Sequence, residues 1–185
     1  MRAVWTSKGK KLHIRNVTVT TYHYDEQRIV VKGTLKDDRF QEYYSVAGDM
    51  VPSGVIHHMS ICLLVNCSNL MIEDIDVDLI AAPQEMCLET IGCLDPIKGL
   101  TITRGFTAKV KKLAGGERGC THLLELLLVM APATYQGVIS YRAQKPSSFD
   151  PDRARKMLES LIHTCHAWSE DGPFVGRVKK MLNLK

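Results

Sequence analysis

Six cysteines and seven histidines supply the soft donor atoms of this 185-residue chain, and a few of them sit where local structure sharpens their chemistry. Cys120 follows Gly119 at the expected start of a helix, where unpaired backbone N–H groups and the helix macrodipole favour an anion. That placement stabilises a thiolate, the form that binds metal or attacks an electrophile. His122 adds a nitrogen donor two residues on. Positions two apart on a regular helix do not share a face, so joint chelation by Cys120 and His122 requires an irregular first turn. Taken alone, a Cys-x-His pair reads as a packed thiol beside a hydrogen-bonded imidazole, and ligation comes second.

Company changes that order. Cys87 lies in the first turns of the preceding expected helix, just after Pro83-Gln84-Glu85-Met86, and His57 stands alone on the core-facing side of an expected strand. If both helices pack on the His57 face with their N-termini at one end, an imidazole and two thiolates converge. Zinc or an iron–sulfur cluster accepts that kind of donor set. Cys93 follows Cys87 by six positions and points to another helix face, so it is expected in the core, and Cys62 and Cys67 lack the paired spacing of a zinc knuckle. In the last helix His163, Cys165 and His166 cluster, and Cys165 and His166 lie toward the apolar stripe, where one of them could complete a site but packing outranks that role.

These residues need elements to position them. From Leu12 to Tyr22 and again from Arg28 to Leu35, β-branched residues recur on one parity, and the Asp25-Glu26 break between the two segments predicts a hairpin. Another extended segment, Arg39 to Val46, precedes a loop marked by Gly48-Asp49, Pro52 and Gly54. Between Val55 and Val65 one parity reads Val55, His57, Met59, Ile61, Leu63, Val65, so this strand buries one face and His57 is its exception. A return strand, Leu70 to Ala81, changes its apolar parity near Asp74-Ile75, which predicts a bulge or a shift in which face is buried.

The hydrophobic period then becomes helical. Pro83 opens a helix that continues through Gln84 to Leu94 and ends at Asp95-Pro96 and Gly99. Arg104 to Leu113 forms a short helix closed by Gly115-Gly116, and Thr121 to Arg142 a long apolar one with a kink at Pro132. Lys145 to Ser148 read as a connecting loop. Asp150-Pro151 caps a last helix running to about Trp168, with Leu158, Leu161, Ile162, Cys165 and Trp168 on one stripe. Strands over about 12–81, helices over about 83–168 and a short tail at 169–185 give an α+β single domain, an antiparallel sheet with helices packed on one face.

Composition narrows the surroundings. The hydrophobic fraction of 45% and charged fraction of 24% are ordinary for a globular chain able to bury its own core. The start, Met1 to Lys11, has no apolar run of secretory length, and Leu123 to Ile139 is too broken by Glu125, Pro132 and Gln136 to span a bilayer. The expected location is therefore the cytoplasm, where thiols stay reduced. The net charge of +4 comes from short scattered clusters without interleaved aromatics, so neither nucleic acid nor membrane is an expected partner. A protein partner is left open, as is the oligomeric state.

The run Gly119-Cys120-Thr121-His122-Leu123 resembles the signature of a bacterial family of uncharacterised proteins. Ile56-His57-His58-Met59, Pro83 with Cys87, Gly99 with Gly105-Phe106, Gly115-Gly116, and Thr164-Cys165-His166-Ala167-Trp168 with Asp171-Gly172-Pro173 extend the resemblance over most of the chain. A remote second resemblance is to the NifU-like (U-type) scaffolds that assemble iron–sulfur clusters. It implies a scaffold-like fold in which His57 with His58 matches the first ligand region, Cys87 the second and Cys120 the third, with His122 beside the third cysteine. The leading expectation is a metal-binding protein holding zinc or iron through His57, Cys87 and Cys120, with His122 or Cys165 as fourth ligand. The alternatives are a cysteine-dependent enzyme or sulfur carrier using Cys120 as nucleophile, and an interaction module stapled by structural zinc.

Overall fold

The computed structural model describes residues 7–144 and 150–183, which belong to two compact units, residues 1–142 and 143–185. The first unit begins with the expected hairpin, strands β1 (His13–His23) and β2 (Arg28–Arg39). Asp25 makes the turn between them, its side chain accepting the backbone N–H groups of Gln27 and Arg28, both at 2.9 Å. A small two-stranded ribbon, β3 (Tyr43–Tyr44) and β4 (Met50–Val51), replaces the longer extended segment expected there. β5 (Gly54–Asn66) and β6 (Ile72–Ala81) then complete an antiparallel four-stranded sheet in the order β1-β2-β5-β6.

The change of parity in β6 is a bulge. Leu64 pairs with Asp74 and Val65 with Ile72, so Glu73 is the extra residue and both Ile72 and Ile75 reach the buried side. Along β2 and β5 the odd-numbered residues form that side, with Ile29, Val31, Leu35, Met59, Ile61, Leu63 and Val65 all essentially inaccessible. Each such side chain contributes about 1.5–3 kcal/mol through removal from water.

Helices and tight turns cover that face. Residues Glu85–Ile97, expected as an α-helix, instead form successive 3-10 turns. Thr90, Ile91 and Gly92 are weak helix formers, and Pro96 can neither donate its missing N–H nor fit against the preceding turn of an α-helix. Leu94 and Ile97 still reach the core, together with Phe106, Val110 and Ala114 of α1 (Phe106–Ala114). The long α2 (Thr121–Arg142) lies across β1, β2 and β5 and buries Leu123, Leu126, Leu127, Met130, Thr134 and Val138. By length and composition α2 could cross a membrane, but a helix with one face built into a sheet core passes the same test.

Two glycines let α2 approach closely. A side chain at Gly33 would overlap Met130 and press on Leu126, and a Cβ at Gly137 would lie 2.5 Å from Thr21 Oγ1. Near its C-terminus, the Tyr141 hydroxyl donates to the Glu26 carbonyl and Arg142 donates to the Cys67 carbonyl. The helix therefore runs in the same direction as β1, its first turn over the start of β1 and its last over the hairpin turn.

The second unit holds α3 (Pro151–Leu161) and α4 (Pro173–Met181). Asp150 caps α3 as expected, accepting from the N–H groups of Asp152 and Arg153. The helix ends seven residues before Trp168, because Ile162 turns extended and His163 adopts a left-handed φ of 65°. Leu158 and Val175 are buried, and Trp168 packs edge-on against Phe174 with ring centroids 4.9 Å apart. The stretch expected as a tail thus contains a helix opened by Pro173. The connecting loop expected at Lys145 to Ser148, and the first six residues of the N-terminal stretch, lie outside the described residues.

Candidate metal centre

A polar cluster interrupts the apolar face at the end where α2 begins. The sheet register places Arg15, Asp37 and His57 in one row across β1, β2 and β5, since Arg15 pairs with Asp37 and Asp37 with His57. All three sit on the core-facing parity, so their side chains rise toward α2. The β2/β5 register shifts immediately after this row, between Asp37 and Asp38, so the row sits at the edge of the regular sheet.

Asp37 is the centre of the row, with only 1% of its surface exposed. A carboxylate so buried must be paired and hydrogen-bonded. Arg15 grips it with two bonds, Nε to Oδ1 at 2.8 Å and a terminal nitrogen to Oδ2 at 2.7 Å. His57 Nδ1 lies 2.9 Å from Oδ2, and His13 Nε2 lies 3.2 Å from Oδ1. The Arg15 hydrogen bonds, and then that of His57, hold the carboxyl far below the usual carboxylate range against the opposing effect of burial. Asp37 is an anion at any ordinary pH.

The other half of the cluster comes from the helix. Cys120 precedes the first helical residue, and its carbonyl accepts the first helical hydrogen bond, from Leu124 at 3.0 Å. Its side chain is therefore free of helical periodicity, which is the irregularity that joint action with His122 requires. Cys120 Sγ lies 4.0 Å from His122 Nδ1. The His122 ring faces that of His57, with centroids 3.8 Å apart and planes tilted by 34°. Burial first, then the neighbouring His57 and Arg15, push His122 below the ordinary 6.5, so its ring is a neutral imidazole near neutral pH, the form that ligates metal. One turn further on, Glu125 accepts the third arm of Arg15 at 2.7 Å and ties the helix to the row.

One ligand atom each from Asp37, His57 and His122 lie within 4.8 Å of one another, and among the described residues this is the one group of three or more Cys, His, Asp or Glu donors so placed. Of the residues expected from sequence, the fold brings His57 and His122 into that group, and Cys120 approaches His122 from beside it. Cys87 is half-buried on the 3-10 turns and does not join that group. Its neighbour Cys93 is the cysteine that approaches the start of α2, where a Cβ on Gly119 would lie 2.8 Å from Cys93 Sγ. Cys165 lies in the second unit, exposed, in the turn after α3. His58 points to the opposite side of the sheet from His57.

Asp37, Arg15, His13 and Glu125 were not anticipated. Their signal lay in the strand parity that already singled out His57. Extending Ile29, Val31, Gly33, Leu35 by two residues reaches Asp37, and His13 and Arg15 precede Val17 and Val19 on the parity of β1.

Residues 13–136, about two thirds of the chain, match the family model described as "Protein of unknown function (DUF2889)". That span contains all six residues of the cluster on β1, β2, β5 and α2, as well as Cys120. Neither the curated proteins nor the solved structures provide a match. The chain belongs to the DUF2889 family, and the cluster of Asp37, His57 and His122 lies within its family domain.

Proposed function

We propose that this protein binds a divalent transition-metal ion, zinc or iron, where Asp37, His57 and His122 converge. The observation that carries this reading is the approach of their three donor atoms to within 4.8 Å, from two strands and a helix that the core holds in place. Imidazole donors suit zinc and iron better than the hard ions calcium and magnesium. Two histidines leave coordination positions open, which transfer, sensing or Lewis-acid chemistry would each use. A cluster-assembly role, implied by the resemblance to NifU-like scaffolds, would call for several thiolates, and a site with two imidazoles favours a mononuclear ion.

Elemental analysis of protein purified without added metal tests the proposal. About one ion per chain is expected, falling to background in the His57→Ala/His122→Ala double variant. Less than about one tenth of an ion per chain, with no rise in melting temperature on adding zinc, would remove the proposal. Because the unit has its own apolar core, chelation is expected to strip the ion and leave the fold intact; unfolding on chelation would make the ion a structural staple instead.

A second reading is favoured by the contact between Cys120 and His122. A thiol at the start of a helix, beside an imidazole, is the arrangement of a cysteine nucleophile or sulfur carrier. It predicts that one cysteine of the metal-free protein reacts with iodoacetamide about tenfold or more faster than the others, and that Cys120→Ser abolishes this phase. Uniform thiol kinetics would exclude it.

A further inference from the structure

A carboxylate offers about four lone-pair positions, two on each oxygen. On Asp37 four contacts meet them: Arg15 and His13 on Oδ1, Arg15 and His57 on Oδ2. An ion at Asp37 would have to displace one of these from a buried group. His57 gains from the same arrangement, since its Nδ1 faces Asp37 and its Nε2 is the nitrogen left to act.

The sulfur side of the cluster has the opposite character. Two atoms bound to one tetrahedral zinc, an imidazole nitrogen and a thiolate sulfur, lie about 3.6 Å apart. Cys120 Sγ and His122 Nδ1 stand at 4.0 Å, close to that separation, while the sulfur lies outside the 4.8 Å group that His57 and His122 form with Asp37 and must turn toward His57 to share an ion; Cys120 precedes the first helical residue, so that turn leaves the helix undisturbed. The two rings at 3.8 Å are nearer than the about 5 Å expected of two imidazoles on one tetrahedral ion, so sharing an ion would require the His122 ring to turn away from His57 and open the stack.

We propose that the ion is held by His57 Nε2, His122 Nδ1 and Cys120 Sγ, and that Asp37 is a positioning residue that fixes the tautomer and orientation of His57 without touching the ion. This division of labour rests on the metal reading above: it keeps the ion where His57 and His122 meet, turns Asp37 from a ligand into a support and brings Cys120 in its place. A set of two nitrogens and one sulfur selects zinc-class ions over harder ones and keeps a fourth position open. Arg15 and Glu125 extend the support: Glu125 on α2 holds Arg15, Arg15 holds Asp37, and Asp37 holds His57, so the helix and the strands that carry the ligands are clamped to each other.

Cobalt(II) added to the reduced, metal-free protein tests the assignment. Wild type is expected to show the intense visible bands of a tetrahedral site together with a near-ultraviolet thiolate-to-cobalt charge-transfer band. Cys120→Ser, which puts a good helix cap at this position, loses the charge-transfer band. Asp37→Asn keeps both features but binds about 10- to 100-fold more weakly, as expected of a supporting residue. Nitrogen-15 spectra of histidine-labelled wild type give an independent reading that does not depend on any variant folding: on zinc binding His57 Nε2 shifts and Nδ1 stays protonated. Cobalt bound without the charge-transfer band, or zinc bound through His57 Nδ1, would overturn the assignment while leaving the metal site standing. No binding of cobalt or zinc to wild type would instead overturn the metal reading itself.

Discussion

The interface between α2 and the sheet is built in two ways along its length. From Leu126 to Gly137 it is dry and tight: Met130 sits over Gly33, Gly137 over Thr21, and the one buried polar side chain, Thr134, satisfies itself on the Met130 carbonyl at 2.8 Å. From Cys120 to Glu125 the same helix meets β1, β2 and β5 through an arginine, an aspartate and histidines. The apolar middle of the interface is stabilised by burial. The polar end exposes the fold to the cost of burying a charge, and a simple apolar packing would serve stability as well. Burial accounts for the apolar end, and the polar end is where the proposed metal site lies.

Truncation of the apolar section gives the largest expected effect. Leu126→Ala removes a fully buried side chain above Gly33 and should destabilise the protein by about 2–5 kcal/mol, read as a lowered denaturant midpoint. At the polar end the asymmetry between partners is the sharper test. Arg15→Ala strands the buried Asp37 anion with two histidines and should cost about 3 kcal/mol, whereas Asp37→Asn leaves a partly exposed arginine still held by Glu125 and should cost about half as much. Equal costs in urea melts would mean that Asp37 is hydrated and the row is surface.

Close approach can be tested next. Gly137→Ala gains helix propensity but drives a methyl group into Thr21, for a net loss of about 1–2 kcal/mol. Adding Thr21→Ala should restore or exceed wild-type stability, and independent, additive effects in the double variant would show that the helix does not seat on β1 as described.

The smallest effect is that of pH on the metal-free protein. His122 titrates lower when folded than when unfolded, so the unfolded chain binds more protons in that window and stability falls as pH drops below about 6.5. Asp37 acts with the same sign in a lower window, its stabilisation being complete above the ordinary value of 3.8 and lost as pH falls below it. Urea melts between pH 7.5 and 5.5 should therefore show a loss of about 1 kcal/mol or less, absent in His122→Gln. A variant that keeps the full slope would place the titrating group elsewhere.

Much of this architecture was legible in the chain. Alternation in Val55 to Val65 marks both the buried face and His57 on it, and Asp25 in its polar break marks the hairpin, because period-two burial and turn chemistry are local properties. The change of parity at Asp74-Ile75 left a bulge and a change of buried face open, and the pairing decides for the bulge, with Glu73 its extra residue. The 3-10 turns at Glu85–Ile97 were not legible because proline at the first position and apolar spacing look alike in both helix types, and Asp95-Pro96 reads equally well as the end of an α-helix. The last helix stops short of its pattern: the apolar stripe continues to Trp168, while Ile162 turns extended and the left-handed His163 follows.

What the sequence determined by itself is the inventory and the faces: which strands bury one side, that His57 interrupts such a side, and that Cys120 and His122 open a helix. Which of these meet was decided only by the tertiary structure. Strand register, set by long-range pairing, aligns Arg15, Asp37 and His57 in one row, and the seating of α2 over Gly33 and Thr21 brings His122 and Cys120 above that row while Cys87 is left outside the group. Residues 22 and 20 positions apart carry no local mark of their proximity, because the free energy that joins them belongs to the packed sheet and helix as a whole.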